Sequence, residues 1–177
     1  MNFWLSVAAR WVQGVALSLW LGGVIAIGAL AAPAAFHVTR AHAALAGNLA
    51  LQNDIAGAII GQAFRNFNVL CIVCGVLLLL SGMAVARLRP SPRVRRLTVI
   101  SSVVTLILLG LTVYLQYALF PVIDAAKLQQ HWPLFDRLHH LYVGITNAQL
   151  PLLLVVAWVI SLRDTASTSP VSTLSSN

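Results

Sequence analysis

Four stretches of this chain, each of more than twenty residues, carry no lysine, arginine or aspartate in their cores. They run from about Trp11 to Phe36, Phe67 to Leu88, Leu97 to Phe120 and Leu141 to Leu162. A helix of about 20 apolar residues crosses the roughly 30 Å of hydrocarbon in a bilayer, so each stretch is long enough for one passage. The rest of the chain could not dress such surfaces for water. Only 8% of the 177 residues are charged, none is glutamate, and 59% are apolar, whereas a soluble domain is about 25% charged. Composition therefore excludes a soluble globular protein and a disordered one. The fold expected is an all-α integral membrane four-helix bundle, one domain over residues 1–164, with a mobile Ser/Thr-rich cytoplasmic tail over 165–177. The run Ala29, Ala31, Ala32 resembles a signal-cleavage site, but the apolar stretch before it is too long for a signal peptide, so the first span is expected to be kept.

Charge sets the expected orientation. Five of the eleven basic residues, Arg87, Arg89, Arg93, Arg95 and Arg96, fall in the loop between the second and third stretches. No aromatic residue interleaves with them, which argues against nucleic acid and for an orientation signal in contact with anionic lipid. With that loop cytoplasmic, the inner side holds Arg10, the five loop arginines and Arg163 less Asp164, a net +6. The outer side holds Arg40, Arg65, Lys127 and Arg137 less Asp54, Asp124 and Asp136, a net +1. The protein is thus expected to be multi-pass in a bacterial inner membrane with both termini cytoplasmic. Between the first two spans, Leu45, Leu49, Ile55 and Ile59 recur near helical spacing among polar residues. This pattern predicts an extra amphipathic or re-entrant helix over residues 41–65 on the extracytoplasmic side. Pro33 and Pro151 are expected to kink or end their helices, and Pro133 to interrupt the second outer loop.

Four groups of side chains stand out as candidates. Gly14, Ser18, Gly22 and Ala26 form a small-residue stripe for helix packing, read first as facing an intramolecular neighbour and otherwise a second copy. All five histidines fall on the extracytoplasmic side or at its boundary. His37 and His42 follow the first span while His139 and His140 open the fourth, so the two pairs together are a candidate site for copper, zinc or haem iron. Cys71 and Cys74 share one helical face, as packing residues or as soft ligands for copper. Asn66, Gln116, Tyr117 and Asn147, with Asn68, Tyr114, Thr146 and Gln149, are candidates for a polar layer or cavity, since polar groups avoid lipid.

No nucleophile elbow, phosphate loop, dinucleotide fingerprint or zinc-protease motif occurs, and no span holds the acidic residue of a proton-coupled carrier. The chain is read as no enzyme. The leading expectation is an accessory or scaffold subunit of a larger membrane complex, with other membrane subunits or itself as partner. The alternatives are an extracytoplasmic copper- or haem-binding protein and a small-molecule permease.

Several short motifs add a resemblance. Trp20-Leu21-Gly22-Gly23, then Ala32-Pro33-Ala34-Ala35-Phe36, Pro121, and Phe135-Asp136-Arg137-Leu138-His139 leading to Asn147 occur in that order. Over roughly Trp11 to Leu162 the chain resembles the transmembrane-protein-205-like family, a domain of unknown function. It is more loosely similar to copper resistance protein D-like membrane domains. The resemblance implies a four-helix membrane domain and carries over Trp20, Gly22, Gly23, Pro33, His139 or His140, and Asn147 as matching positions, without supplying an activity.

Overall fold

A computed structural model describes residues 2–45, 47–88 and 91–166. Arg89 and the tail beyond Ala166 lie outside the described residues. The chain forms four long helical rods, with no strand among the described residues. The first rod is α1 (Asn2–Ile25), a π-helical turn (Ala26–Ala31) and α2 (Ala32–Ala41); the second is α3 (Leu49–Leu88). The third is α4 (Pro92–Tyr114), a second π-helical turn (Leu115–Leu119) and α5 (Phe120–Leu128), and the fourth is α6 (Trp132–Ala166). All four rods are long and apolar enough to cross a membrane. At about 1.5 Å per residue, the 40 residues of α3 are more than the roughly 30 Å of hydrocarbon requires, and the more polar part of the helix is its beginning, residues 49–65.

The segment expected to be a separate amphipathic helix is therefore the start of α3. Nothing between Leu49 and Phe67 breaks the helix: the stretch has no proline, and its two glycines, Gly57 and Gly61, are tolerated inside a helix. Pro133 likewise starts a helix instead of breaking a loop. It occupies the first turn of α6, where its missing N–H costs nothing, and His131 caps that turn by accepting the Leu134 N–H on Nδ1 at 3.3 Å. α6 continues through Pro151.

The two π-helical turns share one cause. A proline in a helix cannot donate to the carbonyl four residues back, and its ring crowds that carbonyl. Pro33 and Pro121 each stand two residues after a π turn. In both turns the backbone widens to bonds five residues back, Ala32 N–H to the Ile27 carbonyl and Phe120 N–H to the Leu115 carbonyl. The helix is thereby carried past the proline in a place where lipid offers no replacement hydrogen bonds.

These paired features expose an internal repeat. Each half of the chain is helix, π turn, proline-led helix, then one long returning helix. Placing Pro33 on Pro121 puts Trp20 on Leu108 and Val24 on Thr112; placing Phe64 on Tyr142 puts Cys71 on Gln149, Leu78 on Val156 and Val85 on Arg163. Phe64 is half-buried, and every other residue in those pairs, apart from the prolines, is buried. The halves thus bury the same register with unlike side chains.

α1 packs on α3, α3 on α4 and α4 on α6, while a smaller α1–α6 contact closes the ring. Between α1 and α3, large groups meet small ones. Trp20, fully buried, lies against Gly75, where an added Cβ would stand 3.1 Å from the indole. Gln13 lies against Gly82, and the Phe67 ring occupies the place a Cβ on Gly23 would take, 2.1 Å away. Because this face of α1 holds Trp20 and Gly23, the stripe Gly14, Ser18, Gly22 and Ala26 is turned outward. All four are exposed, and a Cβ on Gly14 or Gly22 would meet nothing within 4 Å. The expected intramolecular contact for the stripe is thus corrected: it lies outside the bundle. Gly23→Ala should lower stability by about 1–3 kcal/mol through overpacking against Phe67, whereas Gly22→Ala should leave it unchanged; thermal unfolding in detergent reads both.

Candidate functional site

Inside the bundle, toward the end that carries the histidines, the helices place a layer of neutral polar groups. Asn68 of α3 donates to Gln116 Oε1 at 3.4 Å, and Gln149 of α6 donates to the Thr112 hydroxyl at 3.3 Å. Thr112 donates in turn to the Leu108 carbonyl at 2.9 Å. Above this layer sits an aromatic plug. Tyr142 is buried between Phe64 and Phe120, with ring centroids 5.6 and 4.9 Å away, and its hydroxyl lies beside Asn68 and Thr146.

Two ion pairs close the plug from the water side. Arg65 of α3 pairs with Asp124 of α5, and its guanidinium lies 5.3 Å from the centre of the Phe120 ring. One turn or more further out, Lys127 meets Asp54 at 2.6 Å. These side chains bridge α3 and α5, whose backbones do not otherwise come close among the described residues. At the opposite end Arg163 is buried, its guanidinium donating to Gln13 Oε1, and Asp164 lies 3.5 Å from both Arg10 and Arg163. Between the two ends, Trp20, Leu78, Leu108, Leu153 and Val156 fill the core. The groups in these layers are hydrogen-bond donors and acceptors arranged to hold helices in register.

The candidates read from sequence separate accordingly. Gln116 joins the polar layer. Asn66, Tyr117 and Asn147 do not: each is exposed, and Asn66 is occupied on its own helix by the Gln62 amide at 3.0 Å. Residues one or two apart lie on different helical faces, so the inward placement of buried Asn68 and Gln149 and half-buried Gln116 turns Asn66, Tyr117 and Asn147 outward. Cys71 and Cys74 are free thiols buried in the core beside Trp20. His37 and His42 are exposed. His139 stacks on Phe135 at 5.8 Å and 9°, and His140 Nδ1 lies 2.8 Å from the Asp136 carbonyl. No three of His, Cys, Asp and Glu among the described residues come together as a metal-holding group, so the two histidine pairs do not form the joint candidate site.

Sequence reading overlooked the Gln13–Arg163 pair, having counted Arg163 among the inner-side charges. Its signal was Gln13 itself, the one amide within the first span, which lipid would push inward.

Four apolar rods around a filled interior define a small polytopic membrane protein. Residues 15–131, well over half of the chain, match the family described as a domain of unknown function (DUF4149), and the chain belongs to that family. Comparison with curated proteins and with solved structures gives no match, and neither motif-based resemblance is among the findings. The matched residues take in the α1–α3 interlock, both π turns and the prolines that follow them.

A test of the buried pair follows from its geometry. Gln13→Leu should cost about 1.5–3 kcal/mol, the range for a hydrogen bond to a charged group. Adding Arg163→Met should restore most of that loss, because an apolar pair leaves no stranded guanidinium. Chemical unfolding of the two variants and the wild type checks both expectations.

Proposed function

We propose that this protein is a non-enzymatic accessory or scaffold subunit that docks a helix of another membrane protein, or of a second copy, on the outward stripe of α1. The observation that carries this reading is the orientation of the stripe. Helices in lipid associate through close packing, and small residues four apart are what allow two backbones to approach. Here that surface is presented outside the bundle, flanked by the exposed side chains of Trp11, Val15, Leu19 and Ile25. The first rod is also the least covered of the four. The filled core supports a structural role over a conducting one, and the scattered histidines favour it over metal handling. In this reading the arginine-rich loop and both termini face the cytoplasm, as the charge asymmetry favours.

The test is a pair of substitutions on the exposed line, Gly14→Leu and Gly22→Leu, made in the protein expressed in its own membrane. Both should preserve the thermal unfolding midpoint, since a side chain there meets nothing within the bundle, while abolishing co-purification of the partner in mild detergent. Wild-type protein that elutes as a lone monodisperse monomer, or a complex indifferent to both leucines, would overturn the proposal.

A further inference from the structure

The arginine-loop end of the bundle carries cations that no carboxylate among the described residues neutralises. The chain has four aspartates and no glutamate, and each aspartate is engaged elsewhere. Asp54 pairs with Lys127, Asp124 with Arg65 and Asp164 with Arg10 and Arg163, and Asp136 lies beside His140. Among the described residues, no carboxylate partners Arg87, Arg93, Arg95 or Arg96. Four guanidinia at one end of the bundle are thus open to an anion that the described residues do not supply.

The surface beside them has a shape to receive one. Where α3 and α4 meet, a recess of about 700 Å³ lies between Ala86 and the first turns of α4, with Arg95 and Arg96 in its wall. It continues along the helices as a groove of about 320 Å³ lined by Met83, Val99, Val103 and Leu106, with Arg87 and Arg95 at its charged end. From Arg95 to Leu106 the groove runs about 16 Å at 1.5 Å per residue, half of the roughly 30 Å hydrocarbon thickness and so the depth of one leaflet. α4 begins here at Pro92 with no side-chain cap from Ser91, so its first-turn N–H groups and the positive end of its dipole add to the same anionic preference.

We propose that this groove is a binding site for one anionic phospholipid, its phosphate held by Arg95 and Arg96 with Arg87 alongside, and an acyl chain laid along Val99, Val103 and Leu106. The inference does not depend on the scaffold reading, because it concerns the surface where α3 meets α4 and not the α1 stripe. It goes beyond a general attraction of basic loops to anionic membranes, since it requires the groove as well as the charge.

Native mass spectrometry of the purified protein with dioleoyl phosphatidylglycerol against dioleoyl phosphatidylcholine tests it. Wild-type protein should retain phosphatidylglycerol preferentially, and each of Arg95→Gln and Arg96→Gln should weaken that preference about fivefold. Val103→Trp, which fills the groove and keeps every arginine, should also abolish it, while Arg40→Gln on the far side should not. Glycerol phosphate, with the charge but no chains, should fail to compete. Equal retention of the two lipids, an unaltered preference in Val103→Trp, a loss in Arg40→Gln equal to that in Arg95→Gln, or competition by glycerol phosphate would each overturn the proposal. Circular dichroism in phosphatidylcholine ensures that only folded variants are compared.

Discussion

Helices in a bilayer gain little by hiding apolar side chains from one another, because lipid is as apolar as leucine; close packing and hydrogen bonds must hold them. In this protein the closest packing is the interlock of α1 with α3, Trp20 set against Gly75 and Phe67 against Gly23. The orientation of the whole first rod depends on it. Once Trp20 faces inward, residue 22, two positions on, must face nearly the opposite way at 3.6 residues per turn. The glycine that can approach a foreign helix and the glycine that receives Phe67 are neighbours in sequence, yet about 100° apart around the helix and so on different faces.

The rest of the bundle repeats that half with different chemistry. The second half keeps the π turn and its proline but buries Leu108 where the first buries Trp20, and Gln149 where the first buries Cys71. The interior is consequently apolar around Trp20 and polar near Thr112 and Gln149, and charge is confined to the ends, in Arg163 with Asp164 and in the two ion pairs joining α3 to α5. Partly exposed pairs of this kind contribute little stability individually, about 0–1 kcal/mol. Their value here is positional, since they span a gap the backbones leave open.

Hydropathy alone marks the four passages, because a run of twenty residues without charge has one physical explanation. It does not mark where the helices end. Residues 49–65 are polar enough to leave the membrane yet contain nothing that stops a helix, so α3 simply continues. The stripe was legible as a packing surface and its direction was not: spacing is blind to which face is inward, and only Trp20 beside Gly23 held that information. The repeat is invisible in sequence because equivalent positions hold tryptophan and leucine, or cysteine and glutamine. Of the polar candidates, Gln116 was found with its partner Asn68, whereas Asn66 and Asn147 were indistinguishable by composition from neighbours that point inward. The histidines gather at one end of the bundle, but a common end is a much weaker constraint than a common centre.

The central claim is that the interior of this bundle is occupied and that its outward α1 face is where it meets other chains. Site-specific photocrosslinking in native membranes addresses this directly, with the reactive group placed at Ser18 on the exposed line and, separately, at the buried Ala16. The account predicts one discrete intermolecular adduct from Ser18 and only crosslinks within the chain from Ala16. Lipid adducts alone from Ser18, or an intermolecular adduct from Ala16, would contradict it.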